Sequence, residues 1–374
     1  MKPVQTVLAI AAFAAAACTP AKDTQKGGDE LTMLVGTYTD SLSRECRRGI
    51  YTFRFNQQSG NAAPLDTFAM ENPSFLTVSE SGERVYAVSE MPDSTASVNA
   101  FHIDKKSGKL HLLNTRATYG ENPCHVYAND MFVLASNYTG GSLSVFPVNE
   151  DGSLGQIQAC HKGGTGGPDT VRQPVPHIHC SHPSPDGKFV FVSDFSADRL
   201  LRFPVTPDGK GLQPSDTSFA IEADSGPRHF IFNSRGDCLY LLGELSGKIY
   251  VFSYENGTLA PLQTVSTDSV AARGSADIHL SPDGKFLYAS NRIRNDGIAI
   301  FAVADNGTLA WTGYMHTAIH PRNFCITPNG RYLLAACRYG NLIQVFERDP
   351  ENGLLKETDK SIRLDRPSCI RFVR

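Results

Sequence analysis

Seven side chains recur at matched places in this 374-residue sequence and carry chemistry unusual for those places: Glu90, His179, Arg228, Glu244, Arg292, Arg322 and Arg338. Four guanidinium groups, two carboxylates and an imidazole around one pocket suit an anionic ligand. Arg forks grip carboxylate or phosphate oxygens through two hydrogen bonds at once. His179 and Glu244 both have the chemistry of a general base, and the sequence does not rank them. Arg228 and Arg292 are suited to polarising a carbonyl and holding the oxyanion that forms on it. Arg322 and Arg338, with Glu90 beside them, suit the clamping of a phosphate or carboxylate.

These matches come from an internal repeat. Segments such as His182-Pro-Ser-Pro-Asp-Gly187, Leu280-Ser-Pro-Asp-Gly284 and Ile326-Thr-Pro-Asn-Gly330 each run on into an apolar stretch of strand-forming residues. Pro and Gly sit where a tight turn requires a fixed and a positive φ. A second hairpin follows each, as in Ile249-Tyr-Val-Phe252 before Asn256-Gly257 and Ile343-Gln-Val-Phe346 before Asn352-Gly353. The opening slots are Pro73, Pro123, Ile178, Pro227, Ser275, Pro321 and Pro367, separated by 50, 55, 49, 48, 46 and 46 residues. Four short strands per repeat of this length predict an all-β, seven-bladed β-propeller over residues 31–374. The chain enters in mid-blade at Leu34–Tyr38, so a C-terminal strand, Arg366–Val373, is expected to complete the N-terminal blade and close the ring. We number that split blade one.

Two columns follow. The residue after each opening slot reads Ser368, Ser74, Cys124, His179, Arg228, Ala276 and Arg322 from blade one to blade seven. The residue at the end of the second strand reads Tyr38, Glu90, Tyr138, Phe195, Glu244, Arg292 and Arg338. Both belong at one mouth of the central channel. The same charges would also serve as an ion-pair staple between blades, but their concentration in blades four to seven favours a site. Arg228 and Glu244 are expected to pair within one blade. His229 and His279, deeper in their strands, are expected to bond blade backbone. The run His177-x-His179-x-x-His182 splits across two strand faces and needs outside help to hold a metal. Gly163–Pro168 lies in the longest inter-blade loop and reads as a lid over the His179 side, and Trp311 as packing.

Composition bounds the remainder. Hydrophobic residues at 41% supply a sizeable core, and a net charge of −3 lacks the basic excess of a nucleic-acid binder. Lys2, the apolar run Val7–Ala17 and Ala15-Ala16-Ala17-Cys18 read as a lipoprotein signal peptide over 1–17, with lipid on Cys18 and a polar tether over 18–30. That predicts a monomer held by its lipid at a bacterial cell envelope. Nine Cys without a CxxC read as buried free thiols rather than a zinc cluster, and no metal or other cofactor is expected.

Gly226-Pro-Arg-His229, Ala276-Asp-Ile-His-Leu-Ser-Pro-Asp-Gly284 and Pro321-Arg-Asn-Phe324 resemble the motifs of the lactonase family of seven-bladed propellers, over nearly all of the chain from Leu31. That family includes the propeller-type 6-phosphogluconolactonase and the fungal carboxymuconate lactonising enzyme. The resemblance implies a carboxylic ester hydrolase acting on a small anionic sugar lactone, with His179, Arg228, Glu244 and Arg292 at the catalytic positions. Asn323 stands where the phosphogluconolactonase motif has Gly. The alternatives are a carboxymuconate-type cycloisomerase and a non-catalytic envelope propeller that binds a ligand or a protein.

Overall fold

The computed structural model describes residues 28–39 and 49–373. The signal peptide, Cys18, most of the tether and Cys46 lie outside the described residues. The described chain forms 28 strands in seven antiparallel sheets of four, with no helix among them. Six sheets use four consecutive strands. The seventh has the order Pro367–Val373, Glu30–Thr37, Gly49–Asn56, Ala62–Ala69, so the last strand of the chain completes its first blade. Leu34 pairs with Arg371 and Val35 with Ile370 across that seam. The ring is a seven-bladed β-propeller.

Strand alternation turns one row of apolar side chains toward each neighbouring blade, and the core lies between blades. Met33, Val35 and Phe53 of blade one pack against Leu334, Ala336 and Ile343 of blade seven. Tyr240 and Leu242 of blade five pack against Ile278 and Leu287 of blade six. A recurring hydrogen bond ties four of the seven interfaces at the rim. The Tyr86, Tyr240 and Tyr288 hydroxyls donate to the carbonyls of Gly152, Gly307 and Gly353 in the next blade, at 2.9, 2.9 and 2.7 Å. Tyr332 of blade seven closes the circuit by donating to Gln58 O in blade one at 3.0 Å. Gly307 shows why the outer turn carries glycine: its φ is +85°, and a Cβ there would sit 2.3 Å from Cys238 Sγ.

The feature that positions the site is a β-bulge near the start of the innermost strand in six blades. In blade four Ile178 pairs with Asp194 and Cys180 with Ser193, which leaves His179 unpaired. Cys124, Arg322 and Ser368 are passed over in the same way. In blade five Arg228 and His229 together oppose Leu242 alone, and in blade six Ala276 and Asp277 oppose Ser290. A bulge re-aims the side chain it frees, and these bulges lie at the same end of the six innermost strands that carry them, around the axis.

Trp311 differs from expectation. It lies on an outermost strand with 56% of its surface exposed, an edge ring against Phe301. The outermost strand of a blade has no further neighbour to bury it. The seven described cysteines are free thiols, six of them buried.

Candidate active site

The two columns meet across each first hairpin, and Glu244 is the hub of one half. Its carboxylate accepts from Arg228 Nε at 2.8 Å and from Arg172 at 2.7 Å, and Arg292 lies 3.4 Å away. Burial pushes the Glu244 pKa up, but Arg292, Arg228 and Arg172 pull it further down, from 4.5 to about 2. Arg292 is held in place by the carbonyls of Gly274 and Ser275, at 2.8 and 3.3 Å. Arg228, 2% exposed, also donates to Ala276 O.

The other half is built on Tyr38 and Glu90. The Tyr38 hydroxyl donates to Glu90 at 2.8 Å, and Ser74 donates to the same oxygen. Both remaining arginines lie over the Tyr38 ring, Arg338 at 3.6 Å and Arg322 at 5.4 Å from its centroid. No hydrogen bond or ion pair joins either guanidinium to another described residue, and Arg338 Nε is buried without a partner among them. Cation–π contact orients these two groups and leaves their N–H donors available.

Imidazoles fill the spaces. His177 stacks on Tyr138 at 4.1 Å, its Nδ1 2.7 Å from Tyr138 O. His179 lies edge-on to the same tyrosine at 5.7 Å, and burial first, then Arg228, hold it well below the usual histidine range. His320, its ring 4.4 Å from Tyr339, is pushed down to about 2 by burial and by the charges of Arg292, Arg322, Arg338 and Arg228. Neutral imidazoles beside fixed cations leave the positive potential of the mouth undiminished. Five arginines and two carboxylates can hold an anion and stabilise negative charge that develops on it.

The family described as lactonase, 7-bladed β-propeller, matches residues 32–372. The chain belongs to this lactonase family. A 6-phosphogluconolactonase of Formosa agariphila is 37% identical over 352 residues, 91% of this chain and 99% of that protein. A solved structure from Bacteroides uniformis is 56% identical with a TM-score of 0.90, covering 92% of this chain and 100% of that one. The Pseudomonas aeruginosa periplasmic gluconolactonase is 31% identical with a TM-score of 0.86, covering 92% of this chain and 99% of that one.

Within this lactonase-family ring, Arg228, Glu244 and Arg292 are in direct contact. His179 joins them through Tyr138 and Arg172, while Glu90, Arg322 and Arg338 form the facing half around Tyr38. Arg172 was not singled out from the sequence. It follows the Gly163–Pro168 run, and the signal for it was only that this inter-blade loop is long. The loop is tied down rather than loose: Gly164 N donates to Asp194 at 2.6 Å, Gly167 N to Ser196 O at 2.8 Å, and the Gln173 amide to Phe195 O at 2.8 Å. The three histidines of the His177–His182 run do not converge. His182 sits at the far end of its strand against Tyr127, 4.9 Å between rings. His229 and His279 bond the Asp277 carboxylate, at 2.7 and 3.0 Å, rather than backbone. Asp277 stood in a motif of the sequence, but nothing local marked it as their partner.

Proposed function

We propose that this propeller hydrolyses a sugar lactone bearing an anionic substituent, in the manner of a 6-phosphogluconolactonase. The single observation that carries the reading is the pair Arg322 and Arg338, which lie over the Tyr38 ring with no ion pair to a carboxylate among the described residues, facing a second half in which Glu244 orders three further arginines. A phosphate or carboxylate on Arg322 and Arg338 directs the lactone carbonyl toward Arg228 and Arg292. The guanidinium groups there are already fixed by Glu244 and by backbone carbonyls, so little reorganisation accompanies charge development. The relatives named as lactonases support the reaction class.

The test is an assay of the purified protein against aldonolactones with and without a phosphate. The expected result is turnover that favours the phosphorylated lactone. Arg322→Ala and Arg338→Ala should each raise KM for it by about tenfold or more, the scale of a lost charge-assisted bond, with kcat changed far less. Equal KM values for both lactones in the wild type and both variants would remove the anion clamp. Absence of lactone turnover would remove the hydrolase reading itself.

A further inference from the structure

One buried pair at the axis has the arrangement of a base and its orienting carboxylate. His229 Nδ1 lies 2.7 Å from Asp277 Oδ1, and the two residues are 6% and 2% exposed. Asp277 is held from several sides. It accepts from Ile278 N at 3.1 Å, from Phe324 N at 3.3 Å, from His279 Nε2 at 3.0 Å and from the Asn323 amide. Asn323 is the residue that replaces Gly in the family motif, and here its amide serves the carboxylate. An acceptor at Nδ1 places the ring proton there and leaves the lone pair on Nε2. His229 Nε2 is buried and has no hydrogen-bond partner among the described residues.

The surroundings point to a ligand at that nitrogen. The His229 ring is 5.1 Å from His179, 5.6 Å from His125 and 5.7 Å from Phe75. His125 Nδ1 and His179 Nδ1 are likewise buried and unpartnered among the described residues. Three such nitrogens lie in one cluster with unmet hydrogen-bonding capacity. The blade-five bulge turns Arg228, a member of the charged ring, and His229 toward the axis in succession. On its other side His229 borders an axial cavity of about 770 Å³ that runs past Asp277, His182 and Arg371. Of the other candidates, Glu244 is saturated by three guanidinium groups, and no carboxylate orients His179.

We propose that His229 is the general base of the lactone hydrolysis, that Asp277 is its positioning residue, and that the attacking water reaches Nε2 along the axial cavity while the lactone occupies the charged ring. This rests on the lactonase reading above. In the step, one water proton passes to His229 Nε2 as the water oxygen bonds to the lactone carbonyl carbon. The ring C–O bond then breaks, and the departing alkoxide takes that proton back from His229, leaving a hydroxy acid. Arg228 and Arg292 hold the oxyanion in between. Burial and Arg228 lower the His229 pKa to about 4 against the opposing pull of Asp277, so the ring is neutral at pH 7.

The test compares wild type, His229→Gln, Asp277→Asn and Arg235→Ala on the best aldonolactone, after circular dichroism has established that each is folded. His229→Gln should lower kcat by a factor on the order of 10²–10⁴, with KM within about threefold of wild type. Asp277→Asn can turn its amide toward Nδ1 and reverse the tautomer. It should therefore also lower kcat more than tenfold at nearly constant KM, a split that a purely structural loss would not produce. Should His229→Gln fail to fold, Asp277→Asn carries the test alone. Arg235→Ala, in an exposed turn, should match wild type. An active wild type together with a folded His229→Gln or Asp277→Asn that keeps kcat within threefold overturns this assignment and leaves the lactonase reading standing. An inactive wild type overturns both.

Discussion

Glu244 shows how a carboxylate in a ring of arginines can be excluded from one role by its suitability for another. A single Arg neighbour would keep it ionised and basic. Three guanidinium groups hold its pKa at about 2, and a proton taken up there would first have to displace those contacts. Its task in this geometry is to fix the directions of Arg172, Arg228 and Arg292. The depressed pKa is also a stability statement. The contribution is fully present above the unfolded value near 4.5 and is lost as pH falls toward about 2, on the order of 3 kcal/mol in total. Urea denaturation from pH 6 down to pH 2.5 should show this loss in the wild type. Glu244→Gln should be less stable by about 3–5 kcal/mol at pH 6, because it leaves three buried or half-buried cations unpaired, and it should lose less on acidification. Parallel pH dependences in the two proteins would show that Glu244 does not carry the linkage.

At the scale of the element, bulge and loop divide the work. The bulge supplies the inward-turned residue of the innermost strand, and the hairpin end opposite it supplies the partner. Repeating that device around the ring converts one backbone irregularity into the charged mouth. The 163–177 loop adds what no blade supplies, a third arginine on Glu244. Its backbone ties to Asp194 and Ser196 place Arg172 without burying it fully, since the side chain is 36% exposed. We therefore expect Arg172→Ala to fold normally, with Tm within about 2 °C of wild type, because loss of its ion pair is offset by relief of repulsion from Arg228 and Arg292. Steady-state kinetics should show kcat/KM reduced about tenfold, the scale of one charge-assisted bond. An unchanged kcat/KM would place the loop outside the reaction.

At the scale of the molecule, the ring holds the site only while it is closed. The C-terminal strand joins blade one to itself, and its neighbours depend on it. Ser368 Oγ donates to Gly36 O at 3.1 Å and to Ser74 O at 2.9 Å, Ile370 N donates to Asn323 at 2.7 Å, and Cys369 and Ile370 are fully buried. A chain ending at Asp365 would expose the edge of Glu30–Thr37 and the facing sides of blades two and seven. Size-exclusion chromatography and thermal melts should find it aggregated or unfolded. A truncated monomer with wild-type Tm would show that the seam does not govern closure.

The blade count, the split blade and the membership of both columns are legible in the amino-acid sequence. Turn glycines, alternating strands and opening prolines are local signals, and a repeat restates them from blade to blade, the proline in five of seven. The sequence also pairs Arg228 with Glu244, which lie 16 residues apart across one hairpin, where register follows from turn length. The contacts that only folding reveals join positions far apart in the chain. Arg172 reaches Glu244 over 72 residues from an irregular loop, and His229 finds Asp277 over 48 residues, one blade away. Such pairings depend on the rotation between adjacent blades and on where a bulge turns a side chain, neither of which leaves a periodic mark. Trp311 follows the same logic. Alternation places it on a strand face, but only the position of its strand at the rim of the ring leaves that face to solvent.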